Sequence, residues 1–161
     1  MFRPLSRLSI LALTAIACGG ASTDPGGGGT TTGGSAKVLT ATINGVAFSA
    51  TIVSGGYLNG LLTINGVNGL KTITINAGNV SGPSTISLNM GNAWSATGDV
   101  IDGNSGHFSS GIGGTGSLTL TTATLGRITG TFTFTGYTSA GTGASKPVVT
   151  VLNGVFDITN P

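Results

Sequence analysis

The sequence predicts an all-β domain: antiparallel, mostly meander, with roughly eight to ten short strands closed as a flattened barrel or a two-sheet sandwich. Three observations carry that prediction. In Arg127–Tyr137, Ile128, Phe132 and Phe134 share one parity, and Thr129, Thr131, Thr133 and Thr135 share the other. Side chains alternate across a strand, so this period of two marks a strand with one face in a core and one in water. Turn-forming Gly, Asn, Pro and Ser recur every ~8–12 residues, the spacing of a sandwich or barrel. No window repeats apolar residues at i, i+3, i+4, the pattern of an amphipathic helix.

The elements follow in order. Val38–Ile43, Asn44-Gly45 and Val46–Val53 read as a hairpin, because an Asn-Gly pair between two alternating runs suits a type I′ turn. Leu39, Ala41 and Ile43 would line the inner face of its first strand, and Phe48 and Ile52 that of its second. Ser54-Gly55-Gly56 reads as a turn into a strand over Tyr57–Asn65, and Gly66-Val67-Asn68-Gly69 as a turn into Lys71–Asn76. Ile73 and Ile75 point inward there, Thr72 and Thr74 outward. A loop through Gly78 and Gly82-Pro83 leads to Ser84–Met90, with Ile86 and Leu88 inward, and then to Ala93–Gly98 with the single tryptophan, Trp94. Asp99–Gly106 reads as a hairpin end before His107-Phe108-Ser109, and Gly111–Gly116 as a further turn. Ser117–Thr122 then places Leu118 and Leu120 inward. The final strand, Val148–Ile158, folds back on Arg127–Tyr137 and offers Leu152, Phe156 and Ile158 to the same core.

The amino-terminal segment supplies an address. Met1–Ala17 has a basic start (Arg3, Arg7), an apolar stretch from Leu8 and small residues at its end, the pattern of a cleaved secretory signal. It runs into Ala15-Ile16-Ala17-Cys18, and Cys18 is the one cysteine of the chain. This resembles the lipobox of bacterial lipoproteins, which implies an acylated Cys18, attachment to a membrane and removal of residues 1–17. Gly19 in place of an Asp implies, on the same resemblance, sorting to the outer membrane and a place on its periplasmic or surface side. Residues 18–36 then read as the lipidated cysteine and a Gly/Thr tether, with no side chain large enough to pack. Residues 37–161 form the β domain.

Charge excludes one class of partner. Of 161 residues only 6% are charged, and none is Glu. The formal net charge of +2 includes Arg3 and Arg7. Beyond the signal, Lys37, Lys71, Arg127 and Lys146 cancel Asp24, Asp99, Asp102 and Asp157. Nucleic-acid binding needs a phosphate-neutralising cluster that such a domain lacks.

The inventory for catalysis is equally thin. With one histidine, no glutamate and no Gly-x-Ser-x-Gly elbow, the sequence points to no enzyme and no cofactor. His107 with Asp99 or Asp102 could belong to a triad, and Asp99 with Asp102 could form a carboxylate pair, but in sequence these residues read as a polar hairpin tip. The same tip offers Asp99, Asp102 and Asn104 as weak Ca²⁺ ligands, without the spacing of an EF-hand loop. Thr-x-Thr repeats suggest an ice-binding face, against which strand twist and irregular spacing both count. Tyr57, Trp94 and Tyr137 are candidate contacts for a small apolar ligand or glycan, inside a calycin-like barrel or as platforms for sugar rings. The expected role is that of an envelope domain, structural or recognising a ligand, glycan or envelope protein.

Ala41–Phe48, Ile128–Thr135 and Leu152–Ile158 together resemble a family of uncharacterised bacterial lipoprotein domains. Its members have an Asn-Gly hairpin near the start and Gly-Thr-Phe-x-Phe and Asn-Gly-x-Phe strands near the end. The resemblance covers nearly all of the chain after the tether and implies a fold, without a catalytic residue to carry over.

Overall fold

The computed structural model describes residues 37–89, 96–138 and 147–159. The signal, Cys18, the tether and Trp94 lie outside them. The described residues form eleven strands and no helix. These are β1 (Val38–Ile43), β2 (Val46–Ser49), β3 (Ile52–Leu58), β4 (Leu61–Asn68), β5 (Lys71–Ala77), β6 (Ser84–Ser87), β7 (Thr97–Asp102), β8 (Gly106–Ser109), β9 (Thr115–Ala123), β10 (Arg127–Tyr137) and β11 (Val148–Thr159). One antiparallel sheet, ordered β2-β1-β11-β10-β8-β7-β5-β4-β3, curls into a half-barrel. β9 pairs most of β10 on the side where β8 meets only Tyr137, and β6 continues outward from β9. Most ladders join strands adjacent in sequence, as the short connections require.

The alternation in β10 is realised residue by residue. Ile128, Phe132 and Phe134 are buried, while Thr131 and Thr133 are exposed. Phe132 is the hub: its ring centroid lies 6.4 Å from that of Phe134 and 6.3 Å from that of Phe156. Leu39, Ile64, Ile73, Ile75, Val100, Leu118 and Ile158 complete the densest part of the core. The concave side is filled by side chains that reach across it. Ile158 of β11 meets Gly55 of β3, at the far edge of the sheet, and the Phe134 ring of β10 covers Gly98 of β7, two strands away.

Six expectations need correction. Ser54-Gly55-Gly56 is no turn but the middle of β3. A Cβ on Gly55 would stand 2.9 Å from Ile158 Cδ1, so this glycine lets two walls meet. The chain turns instead at Asn59-Gly60, whose φ values of 51° and 79° suit a type I′ turn, and Tyr57–Asn65 is therefore divided between β3 and β4. Gly66-Val67-Asn68 likewise remains in β4, and the turn into β5 is Gly69-Leu70, with Gly69 at φ 56°.

Ile52, expected inside, is 66% exposed. The chain bends between β2 and β3, where Ala50 N–H donates to Leu39 O and Thr51 N–H to Val67 O, and the parity set by Phe48 is lost. Leu152 is 48% exposed for a related reason. Phe132 pairs with Gly154 but Phe134 with Val151, so β11 holds one extra residue, a β-bulge at Asn153 (φ 52°). Val149 and Val151 face inward before the bulge, Phe156 and Ile158 after it, and Leu152 falls between the phases. Finally, Asp99–Asp102 belongs to β7, and the tip is confined to Gly103-Asn104-Ser105.

Candidate functional site

Two recesses adjoin at one end of the half-barrel. The larger, about 370 Å³, lies among the β1–β2 hairpin (Ile43, Val46, Ala47, Phe48), the β4–β5 turn (Asn68, Leu70, Lys71) and the β7–β8 turn (Asp102, Asn104). The smaller, about 320 Å³, extends past Val100 and Phe108 to the start of β11 at Pro147, Val148 and Val149. Ile43, Val46, Lys71 and Asp102 line both.

Turn chemistry builds this end. Asn44 and Gly45 take φ of 49° and 81°, which type I′ requires and which both residues accept at small cost. The Asn44 side chain then accepts a hydrogen bond from Thr150 N–H (2.8 Å), and Asn44 N–H donates to Thr150 O (2.9 Å), fixing the hairpin to β11. On the opposite wall, Gly103 N–H donates to Leu70 O at 3.0 Å and ties the β4–β5 and β7–β8 turns together. Asn68 Nδ2 donates to Ser49 O at 2.8 Å, joining the hairpin side to the β4–β5 side. These bonds hold apolar side chains at turn tips where no core demands them. Val46 is 63% exposed and Leu70 67%.

The polar element is an ion pair on the wall shared by both recesses. Lys71 Nζ lies 3.5 Å from Asp102 Oδ2. Asp102 Oδ1 accepts the Asn104 N–H at 3.0 Å. That backbone hydrogen bond, and next the Lys71 ammonium, hold the Asp102 carboxyl below the usual carboxylate range against the opposing effect of burial. Asp102 is thus satisfied at both oxygens, whereas Lys71, 41% exposed at its side chain, reaches into the opening.

The residues singled out from sequence are dispersed. Asp99 and Asp102, three apart on one strand, project from opposite faces of β7. Asp99 Oδ1 stands 3.2 Å from His107 Nε2, and its Oδ2 accepts from Thr97 Oγ1 at 3.1 Å. Asn104 meets Asp102 through its backbone N–H. Among the described residues no three His, Cys, Asp or Glu side chains cluster in a way that could hold a metal ion. Tyr57 points inward, and its hydroxyl donates to Val80 O at 2.8 Å. Tyr137 lies on the outer parity of β10, in register with Val148 at the rim of the smaller recess. The two tyrosines belong to different parts of the sheet. Sequence reasoning missed Val46, Leu70 and Lys71. The available signal was an apolar residue directly beside a turn glycine, in Asn44-Gly45-Val46 and Gly69-Leu70-Lys71.

A family model described as "Domain of unknown function (DUF6252)" matches residues 35–158. No curated protein and no solved structure matches the chain.

Proposed function

The chain belongs to this family of domains of unknown function, and from that premise we propose that it is a non-enzymatic recognition module. It is held at the cell envelope through acylated Cys18, and it takes a small, largely apolar ligand in the recesses at the turn end. The observation that carries this reading is the recess of about 370 Å³ lined by Ile43, Val46, Phe48 and Leu70. Ligand sites are concave and mostly apolar, with a few polar groups that fix orientation. Lys71 and Asp102 supply those groups. The recess lies at an end of the sheet instead of in a calycin-like interior, where facing side chains fill the space. An apolar ligand suits it better than a glycan, since neither Tyr57 nor Tyr137, the described candidates for a sugar platform, is among the residues that line it.

The envelope address rests on Ala15-Ile16-Ala17-Cys18 and the Gly/Thr stretch that follows.

The uncharged fluorophore N-phenyl-1-naphthylamine tests the reading. Its emission should rise and saturate on titration with the protein, and Val46→Trp should reduce the rise by filling the wall common to both recesses. A wild-type protein that gives no saturable rise would remove the recess as a ligand site.

A further inference from the structure

The shared wall specifies what kind of ligand the recesses take. We infer that the ligand is a single-chain amphiphile with an anionic head, bound with its head on Lys71 and its chain along Ile43, Val46 and Leu70. This rests on the recess being a ligand site, and it adds the chemical class.

The two charges on the shared wall are unequally engaged. Both carboxylate oxygens of Asp102 are engaged, one by the Asn104 N–H at 3.0 Å and one by Lys71. A cationic head would have to displace Lys71 from the carboxylate that it already neutralises. Lys71 holds three donors on a flexible stem, and its contact with Asp102, at 3.5 Å, is longer than a good charge-assisted hydrogen bond. An anionic head placed in the opening can therefore draw Lys71 toward itself, while the backbone N–H of Asn104 remains on Asp102. The surrounding wall is apolar and rigidly held by the Gly103–Leu70 and Asn44–Thr150 hydrogen bonds. It rewards burial of a chain and offers little to a wholly polar anion.

Size supports the same class. A recess of about 370 Å³ holds on the order of a dozen non-hydrogen atoms, taking the ~30 Å³ that one water occupies in the liquid. Decanoate, with ten carbons and two oxygens, is of that size and serves as the probe. The exposed Val46 and Leu70 stand where a chain would run.

Decanoate and decanol, which share a chain and differ in the head, separate the possibilities by calorimetric titration of the full-length protein at neutral pH. Decanoate should bind roughly tenfold more tightly, the size of one charge-assisted hydrogen bond at a partly exposed site. Lys71→Met should erase the preference and leave decanol unchanged. Asp102→Asn, which keeps an acceptor for Asn104 and frees Lys71, should tighten decanoate severalfold; a merely structural ion pair would give no such gain. Equal binding of the two probes to the wild-type protein overturns the anionic-head inference and leaves the recess as an apolar site. Binding of neither probe overturns the recess reading and the inference with it. Unchanged or weaker decanoate binding by Asp102→Asn, with its melting temperature intact, overturns the role of Lys71.

Discussion

Gly154→Ala provides a sharp test of how β10 and β11 pack. Gly154 follows the β11 bulge and is paired with Phe132, and a Cβ built on it would lie 2.5 Å from both Cδ2 and Cε2 of the Phe132 ring. The ring cannot step aside, because Phe132 is 1% exposed and packs against Phe134 and Phe156. Overpacking of a filled core costs ~1–3 kcal/mol, and a contact this short on a hemmed-in ring belongs at the upper end, about 3 kcal/mol. Against a total stability of ~5–15 kcal/mol this is a large fraction. Urea unfolding followed by circular dichroism would show it as a midpoint lowered by about 1–3 M, for a slope of ~1–3 kcal/mol per molar. Phe132→Ala by itself should cost ~3–5 kcal/mol through the cavity it leaves. In that background the added methyl meets empty space, so Gly154→Ala should cost close to nothing. The double mutant should therefore be more stable than the summed single effects by about 2–3 kcal/mol, a coupling well above the ~0.5 kcal/mol of independent sites. If Phe132→Ala unfolds the domain outright, Phe132→Leu completes the same cycle with a smaller loss. An unchanged midpoint for Gly154→Ala, or additive costs in the double mutant, would refute the contact.

Other expectations are simpler. Asn153→Val places a β-branched residue at φ 52° and should cost ~1–2 kcal/mol, whereas Asn153→Gly should be tolerated, as thermal unfolding would show. Arg127 grips Asp157 through Nε at 3.0 Å and Nη2 at 2.7 Å, and this pairing holds the Asp157 carboxyl below its ordinary range, as Asn104 and Lys71 do for Asp102. Carboxylates with lowered folded-state values contribute stability that is present above ~4 and lost as pH falls through the folded values. Midpoints measured from pH 5 downward should therefore fall, and Asp157→Asn should flatten part of that fall. Cys18→Ser should abolish incorporation of an alkyne-tagged fatty acid in the native host and move the protein from the membrane fraction to the soluble one; persistent labelling would count against acylation at Cys18.

Asn-Gly pairs show where sequence reading reached its limit. Five occur between residues 44 and 154, at Asn44, Asn59, Asn65, Asn68 and Asn153. Asn44-Gly45 and Asn59-Gly60 form two-residue hairpin turns. Asn65-Gly66 stays within β4, because Gly66 lies under Leu39 and Ala50. Asn68 ends β4 and Gly69 begins a turn, while Asn153-Gly154 makes a bulge. A dipeptide that accepts positive φ permits each of these outcomes. Contacts from distant strands select among them, and Tyr57–Asn65 was misread as one strand for that reason. Leu118, Leu120, Ile73 and Ile75 were read correctly, since each stands in an uninterrupted alternating run.

The candidate site was less legible than the fold. Asp99, Asp102 and Asn104 drew attention as a polar run, yet strand geometry sends Asp99 to the other face and leaves Asp102 with Lys71, a residue thirty-one positions earlier. Val46 and Leu70, which line the recess, look in sequence like ordinary members of strand ends.

By itself, the sequence determined that the domain is built of antiparallel strands, that Ile128, Phe132 and Phe134 lie inside, and that hydroxylated side chains cover the outside of β10. Opposite projection of successive side chains is a property of the extended backbone, legible wherever the alternation is unbroken. Only the tertiary structure decided which glycines turn the chain and which let two walls meet, where β11 slips by one residue, and that Ile43, Val46, Leu70, Lys71 and Asp102 converge on one opening. Those outcomes depend on contacts between residues far apart in the chain, and local pattern does not encode which distant partner arrives.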